Sequence, residues 1–121
     1  MAISVTQNGN FLNATVTITA GTPIPLATGP IPIKVEHLLV QMLTGGTGRG
    51  LVYQGFPPNT AAASIAAATG APAELAPASS TAPGGSYELN LAPNEVQDLR
   101  SFATDGSHSG DTLLITARLP I

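Results

Sequence analysis

IKVEHLLVQMLTGGTGRGLVYQG, residues 33–55, sets an apolar strand, a glycine-rich turn and a second apolar strand in succession. Ile31, Ile33 and Val35 hold one phase of alternation; Leu38, Val40 and Met42 hold the other, with Leu39 and Leu43 also apolar. Two readings fit this switch: a β-bulge near Glu36 and His37, or a central strand buried on both faces. Residues 35–43 are long enough for a helix, but Pro32 before them and the glycines after them favour a strand. Leu51, Val52 and Tyr53 then open the next strand.

Upstream, Ala14, Val16, Ile18 and Ala20 alternate with Thr15, Thr17 and Thr19. Period two in β-favouring residues gives a strand with one buried and one wet face. Asn8-Gly9 is a tight-turn dipeptide, so residues 1–13 read as an N-terminal arm or a short hairpin. Gly21, Pro23 and Pro25 make residues 22–26 an edge strand or an extended connector, because proline cannot donate to a ladder. Downstream, Tyr87, Leu89 and Leu91 alternate with Glu88 and Asn90, and Pro93-Asn94 is a turn. Residues 95–100 read as a helical turn or a short strand, and 99–103 as extended. Residues 105–110 form a loop, and Leu113, Ile115, Ala117 and Leu119 mark the closing strand. Seven or eight short strands between Gly, Pro and Asn turns predict one all-β domain over residues 1–121, an antiparallel β-sandwich or jelly roll. Ile18, Val40, Val52, Leu89 and Ile115 are expected at its centre.

Residues 56–85 break this pattern. They are Ala, Pro, Ser, Thr and Gly, with Glu74 as the only charge. TAAASIAAAT, residues 60–69, favours helix, and Asn59 or Thr60 is a candidate cap. Ten residues are marginal alone, so the expectation is one helical turn at most inside a long Ala/Pro-rich loop.

Composition narrows the function classes. Charged residues are 9% of the chain, against about 25% in an ordinary soluble domain. Much of the surface is therefore neutral, or covered by other chains. Lys34, Arg49, Arg100 and Arg118 are scattered and give no footprint for nucleic acid or an anionic membrane. No cysteine is present, which excludes disulfides and thiolate metal sites. Met1 is followed by Ala-Ile-Ser-Val, with no basic region and no long apolar run, so neither a signal peptide nor a membrane-spanning helix is expected.

The chemistry-bearing residues fall into ordinary structural roles. Gly45-Gly46-Thr47-Gly48-Arg49-Gly50 lacks the Lys-Ser/Thr and the following helix of a phosphate loop and reads as a turn. Asp105, Ser107, His108, Ser109 and Asp111 hold the ingredients of a hydrolytic triad. Residues adjacent in one loop rarely align as nucleophile, base and orienting acid, and a polar turn is the better reading. His37 and His108 are too few for a metal site by themselves. Glu88, Glu95 and Asp98 show no spacing that defines an acid–base pair and read as a solvated face. No catalytic, cofactor-binding or metal-ligating residue is expected, and no enzyme.

Short motifs in order carry a resemblance. They are Ala20-Gly21-Thr22-Pro23, Ile33-Lys34 with Gln41, Gly46-Thr47-Gly48 and Tyr53-Gln54-Gly55, followed by Pro83-Gly84-Gly85-Ser86-Tyr87 and Ser109-Gly110-Asp111. The series resembles small virion proteins of tailed bacteriophages, the capsid decoration or cement proteins. Residues 56–83 depart from that pattern in being longer and richer in alanine. The resemblance implies a non-enzymatic β-sandwich made in the host cytoplasm and held on the outside of an icosahedral capsid. It would bridge major capsid protein subunits, most simply as a homotrimer at a symmetry axis. The alternative is a head–tail connector, or a tail or fibre component binding host glycan. A lone monomer is expected to expose the 56–83 loop as an apolar patch. Phe56, Pro57, Pro58 and Ile65 are therefore expected at a subunit or capsid contact. Deletion of residues 60–82 is expected to leave the sandwich folded but to weaken oligomerisation or capsid binding.

Overall fold

In the computed structural model, residues 3–70, 72–90 and 96–119 are described. Eleven strands, one α-helix and one 3₁₀ turn run along them. The strands are β1 (Ile3–Asn8), β2 (Phe11–Thr17), β3 (Ile24–Pro25), β4 (Lys34–Val35), β5 (His37–Met42) and β6 (Gly50–Gln54). After α1 (Ala62–Thr69) come β7 (Ala73–Leu75), β8 (Ser86–Asn90), β9 (Gln97–Asp98), the 3₁₀ turn Leu99–Ser101, β10 (Phe102–Gly106) and β11 (Thr112–Arg118).

A five-stranded sheet runs β1-β2-β11-β5-β8, a four-stranded sheet runs β3-β10-β6-β7, and β4 pairs with β9 alone. Every pairing is antiparallel. Set aside β1 and the small β4·β9 pair, and eight strands remain. The first pairs with the eighth (β2·β11) and the second with the seventh (β3·β10). The third pairs with the sixth (β5·β8) and the fourth with the fifth (β6·β7). One long hairpin rolled into two facing sheets produces this order, the connectivity of a jelly roll. The expected β-sandwich is therefore present. β1 extends the larger sheet through a hairpin in which Asn8 faces Phe11 and Gly9 takes φ 61° at the turn.

The alternating strands meet between the sheets. Val16, Val40, Met42, Leu113 and Ile115 of the large sheet close on Val52 and Phe102 of the small one. Ile18, Val40, Val52 and Ile115 are buried as expected. Leu89 is only half-buried, because β8 is an edge strand and few groups lie beyond it.

The phase switch in residues 33–43 has a local cause. Glu36 donates its N–H to the Arg118 carbonyl (2.8 Å), and His37 is also the register partner of Arg118. Two residues against one constitute a β-bulge, which rotates the strand so that Val35 and Leu38 both point inward. Of the two sequence readings, the bulge is the observed one.

Residues 56–85 hold more structure than expected. Helix α1 has eight residues, more than the single turn expected, and β7 completes the small sheet. The helix caps differ too. Thr60 donates its hydroxyl to the Pro57 carbonyl (2.6 Å), and Asn59 turns away to Gly29. Ala61 begins the helix without a side-chain cap, and Gly70 ends it with φ 78°, its N–H donating to the Ala66 carbonyl (2.9 Å). Past β7 the chain crosses to the large sheet at Gly84-Gly85. A Cβ on Gly84 would lie 2.4 Å from the Ala76 carbonyl oxygen and 2.7 Å from Met42 Cβ, so only glycine passes.

Candidate interaction surface

The two sheets differ in what covers their outer sides. On the small sheet, every residue of β10 is buried. Its inner side meets the core. Its outer side, with Tyr53 of β6 and Ala103 of β10, packs against Phe56 and Ile65. Residues 56–69 thus fold back on the sheet they leave. Phe56 is 1% exposed and Ile65 0%, which corrects the expectation that these two stand outward at an intermolecular contact. Alanine on the other faces of α1 adds little apolar area, so one isoleucine and one phenylalanine dock the whole segment. Pro57 and Pro58 remain exposed. Removing residues 60–82 would take away α1 and β7 and uncover Tyr53 and Phe56, so the fold now argues against tolerance of that deletion.

The outer face of the large sheet has no such cover within the described residues. Strand alternation places Asn13, Thr15 and Thr17 of β2 there, beside Leu114 and Thr116 of β11. Leu39 and Gln41 of β5 and Ser86 and Asn90 of β8 continue the row. Phe11 lies at one end, 49% exposed. The charged groups on this face sit beside groups of the same chain. His37 Nε2 lies 2.9 Å from Glu88 Oε2, and Arg118 Nη2 lies 3.7 Å from Glu36 Oε2. Five strands about 4.8 Å apart and about seven residues long give a footprint on the order of 500 Å². With a rim of loops that approaches the roughly 800 Å² that one partner contributes to a stable interface. Interface centres are depleted in charge, because burying an ion is costly and burying a hydroxyl or amide with a partner is not.

Two loops at one end of the sandwich are locked together, and the glycine-rich turn has its explanation there. The buried Asp111 carboxylate accepts the Gly48 N–H (2.8 Å) and the Thr47 N–H (3.3 Å to Oδ2). Ser107 Oγ accepts the Arg49 N–H (2.8 Å), while the Ser107 N–H donates to the Arg49 carbonyl (3.0 Å). A Cβ on Gly48 would sit 2.6 Å from His108 Cβ, so the two loops could not close over a larger residue. The turn's amides grip a carboxylate of the same chain where a phosphate loop would grip a ligand, and the strand β6 follows directly.

The triad ingredients are spread over separate tasks. Asp111 holds the turn, Ser107 binds Arg49, and Ser109 Oγ accepts the Ala20 N–H (3.0 Å). Asp105 is buried and accepts the Gly106 N–H (2.8 Å); His108 is exposed. His37 and His108 lie at opposite ends of β11, since His37 faces Arg118 and His108 precedes Thr112. No group of three or more potential metal ligands occurs among the described residues. Pro93, Asn94 and Glu95 lie outside the described residues.

Asp98 and Arg100 form a mostly buried clasp that sequence reading missed. Arg100 Nη2 donates to Asp98 Oδ2 (2.8 Å), and Asp98 Oδ1 also accepts the Arg100 N–H (3.0 Å). Arg100 Nη1 donates to the Gly29 carbonyl (2.7 Å). Asn59, at φ 64°, holds the backbone of the same residue: its Nδ2 donates to the Gly29 carbonyl (3.0 Å), and its Oδ1 accepts the Gly29 N–H (2.9 Å). The Arg100 side chain's hydrogen bonds, more than its charge, hold the Asp98 carboxyl below its ordinary value. The only signal in sequence was the Asp-x-Arg spacing at the 3₁₀ turn; the partners lie some 40 and 70 positions away. Tyr87 of the large sheet donates its hydroxyl to Gln54 Oε1 of the small one, and burial pushes its phenol up.

No protein-family model, curated protein or solved structure matches this chain.

Proposed function

We propose that this chain is a non-enzymatic structural protein of a bacteriophage virion, one that decorates the capsid and bridges its major subunits. The open outer face of the five-stranded sheet carries this reading. It is broad, rich in threonine and asparagine, and carries few charged groups, each beside another group of the same chain. A partner that covers such a face meets few charged groups to desolvate. The resemblance of the ordered motifs to decoration proteins supports the same role, and a jelly roll offers two large faces for assembly. One face is already occupied by residues 56–69, which leaves the other for contacts with the capsid or with further copies of the chain.

The mechanism is mechanical. A rigid sandwich laid across two neighbouring capsid subunits must be peeled from both before they separate, and so opposes the outward pressure of packaged DNA. A homotrimer at a symmetry axis multiplies that effect, because three linked contacts release together far more slowly than one.

The test is addition of purified protein to empty mature capsids, followed by copy-number measurement and imaging. Saturable binding at a fixed ratio to the major capsid protein is expected, with density at regular positions over the shell. Density confined to the neck or tail would replace this reading with a connector or tail component. Absence of binding to any particle would end it.

A further inference from the structure

We propose that the sandwich holds a preformed binding site for a small, uncharged, apolar molecule between the large sheet and the segment of residues 26–33. A cavity of about 220 Å³ lies there. Ala14, Ile115 and Ala117 of the large sheet form one wall, and Leu26, Ile33 and Leu99 lie among the residues opposite. Leu26, Leu99, Ile115 and Ala117 are nearly fully buried, so the floor is part of the core. Thr28, exposed, lies at the mouth. It is the one lining residue with a polar side chain, and none is charged.

Short side chains create the space. Ala14 and Ala117 stand on inner faces whose neighbouring inward positions hold the larger Val16, Leu113 and Ile115. Close-packed cores normally collapse onto such a gap, because a void costs stability in proportion to its volume. Here one wall is held in place. Residues 26–33 include no strand, yet the Gly29 backbone is clamped by Asn59 and Arg100, and the Ile33 carbonyl accepts the Leu99 N–H (2.8 Å). The Leu26 N–H donates to the Phe102 carbonyl (2.8 Å) at the other end of the segment. A wall pinned at both ends and at its middle keeps the cavity open and spares an incoming molecule the entropy of building it.

The lining fixes the ligand class. With no charged group and a single hydroxyl, the site offers nothing to offset burial of an ion. An apolar cavity of ~150 Å³ accommodates benzene, so this one suits a molecule of roughly eight heavy atoms. A polar end, if the ligand has one, would lie at Thr28.

Titration of methyl-labelled protein with benzene and with 1-hexanol tests the site by NMR. Saturable shifts are expected at Leu12, Leu26, Ile33 and Ile115, and not at Ile65 on the far side of the small sheet. Ala117→Leu fills the cavity and should weaken both ligands at least tenfold while raising Tm. The milder Ala14→Val should weaken them less, and guards against misfolding of the first variant. The proposal fails if the shifts do not saturate below the ligands' solubility. It fails equally if they spread over the whole protein, or if the filled variants bind as tightly as the parent.

Discussion

The outer sides of the two sheets started from similar material and ended differently. Leu51 and Tyr53 of β6 alternate with their neighbours much as Leu39 and Gln41 of β5 do. Yet Tyr53 is buried under Phe56 and Ile65, whereas Leu39 is only partly covered. The difference lies in the connection that follows each strand. The turn after β5 is a short glycine-rich link that closes on Asp111. The chain after β6 has eighteen residues before β7, and 56–69 among them cover its own sheet. Low charge across a chain therefore does not by itself announce an interface. On one sheet it reflects internal burial, and on the other it leaves a neutral face open to a partner.

The most damaging way to break this contrast is to loosen the cover. Phe56→Ala should cost about 3–5 kcal/mol, as for a buried aromatic, measured by urea unfolding. A loss below about 1 kcal/mol would mean that residues 56–69 lie loosely on the small sheet and that both outer faces are alike.

Within the core, position in the sheet should set the size of the effect. Leu89→Ala, on the edge strand, should cost about 1–2 kcal/mol, less than a fully buried leucine. A cost equal to that of Leu38→Ala would place β8 inside a deeper core than its exposure implies.

Acid should act on the cover's side of the molecule. Asp98 has a lowered folded-state value, so its contribution to stability is present above the ordinary carboxylate range near pH 4. It is lost as pH falls through the lower folded value. Asp98→Asn should lower Tm at neutral pH and flatten the decline of Tm below pH 4. Since the clasp reaches Asn59 through Gly29, amide exchange should quicken first in residues 27–33 and 56–60. An unchanged acid limb in the variant would show that the clasp does not govern acid stability.

The smallest change in stability belongs to the open face. Thr15→Glu should alter folding stability by no more than about 0.5 kcal/mol, since the residue is exposed and faces Leu114 across the ladder. If that face meets a capsid or a second copy, the same substitution should weaken the association at least tenfold, because it places an ion in the contact. Unchanged association would move the interface elsewhere, with the exposed Pro57 and Pro58 as the next place to look.

Alternation carried much of the architecture. Ala14–Ile18, Val40, Val52 and Leu113–Ala117 could be assigned to a buried side from sequence because strand side chains alternate with period two, and the bulge at Glu36-His37 showed as a slip in that period. The full length of helix α1, and β7 altogether, were not legible. Alanine leaves short helices marginal, and Ala73-Glu74-Leu75 has none of the β-branched residues that mark a strand, so both depend on contacts made by the folded sheet. The same holds for function-bearing groups. Sequence showed that carboxylates and histidines were few, and that the glycine-rich turn was no phosphate loop. Only the fold could bring Asp111 under that turn, Arg100 and Asn59 together on Gly29, and Phe56 and Ile65 inward. Those encounters join residues tens of positions apart, and their free energy comes from desolvation and hydrogen bonds that exist only once the sheets have closed.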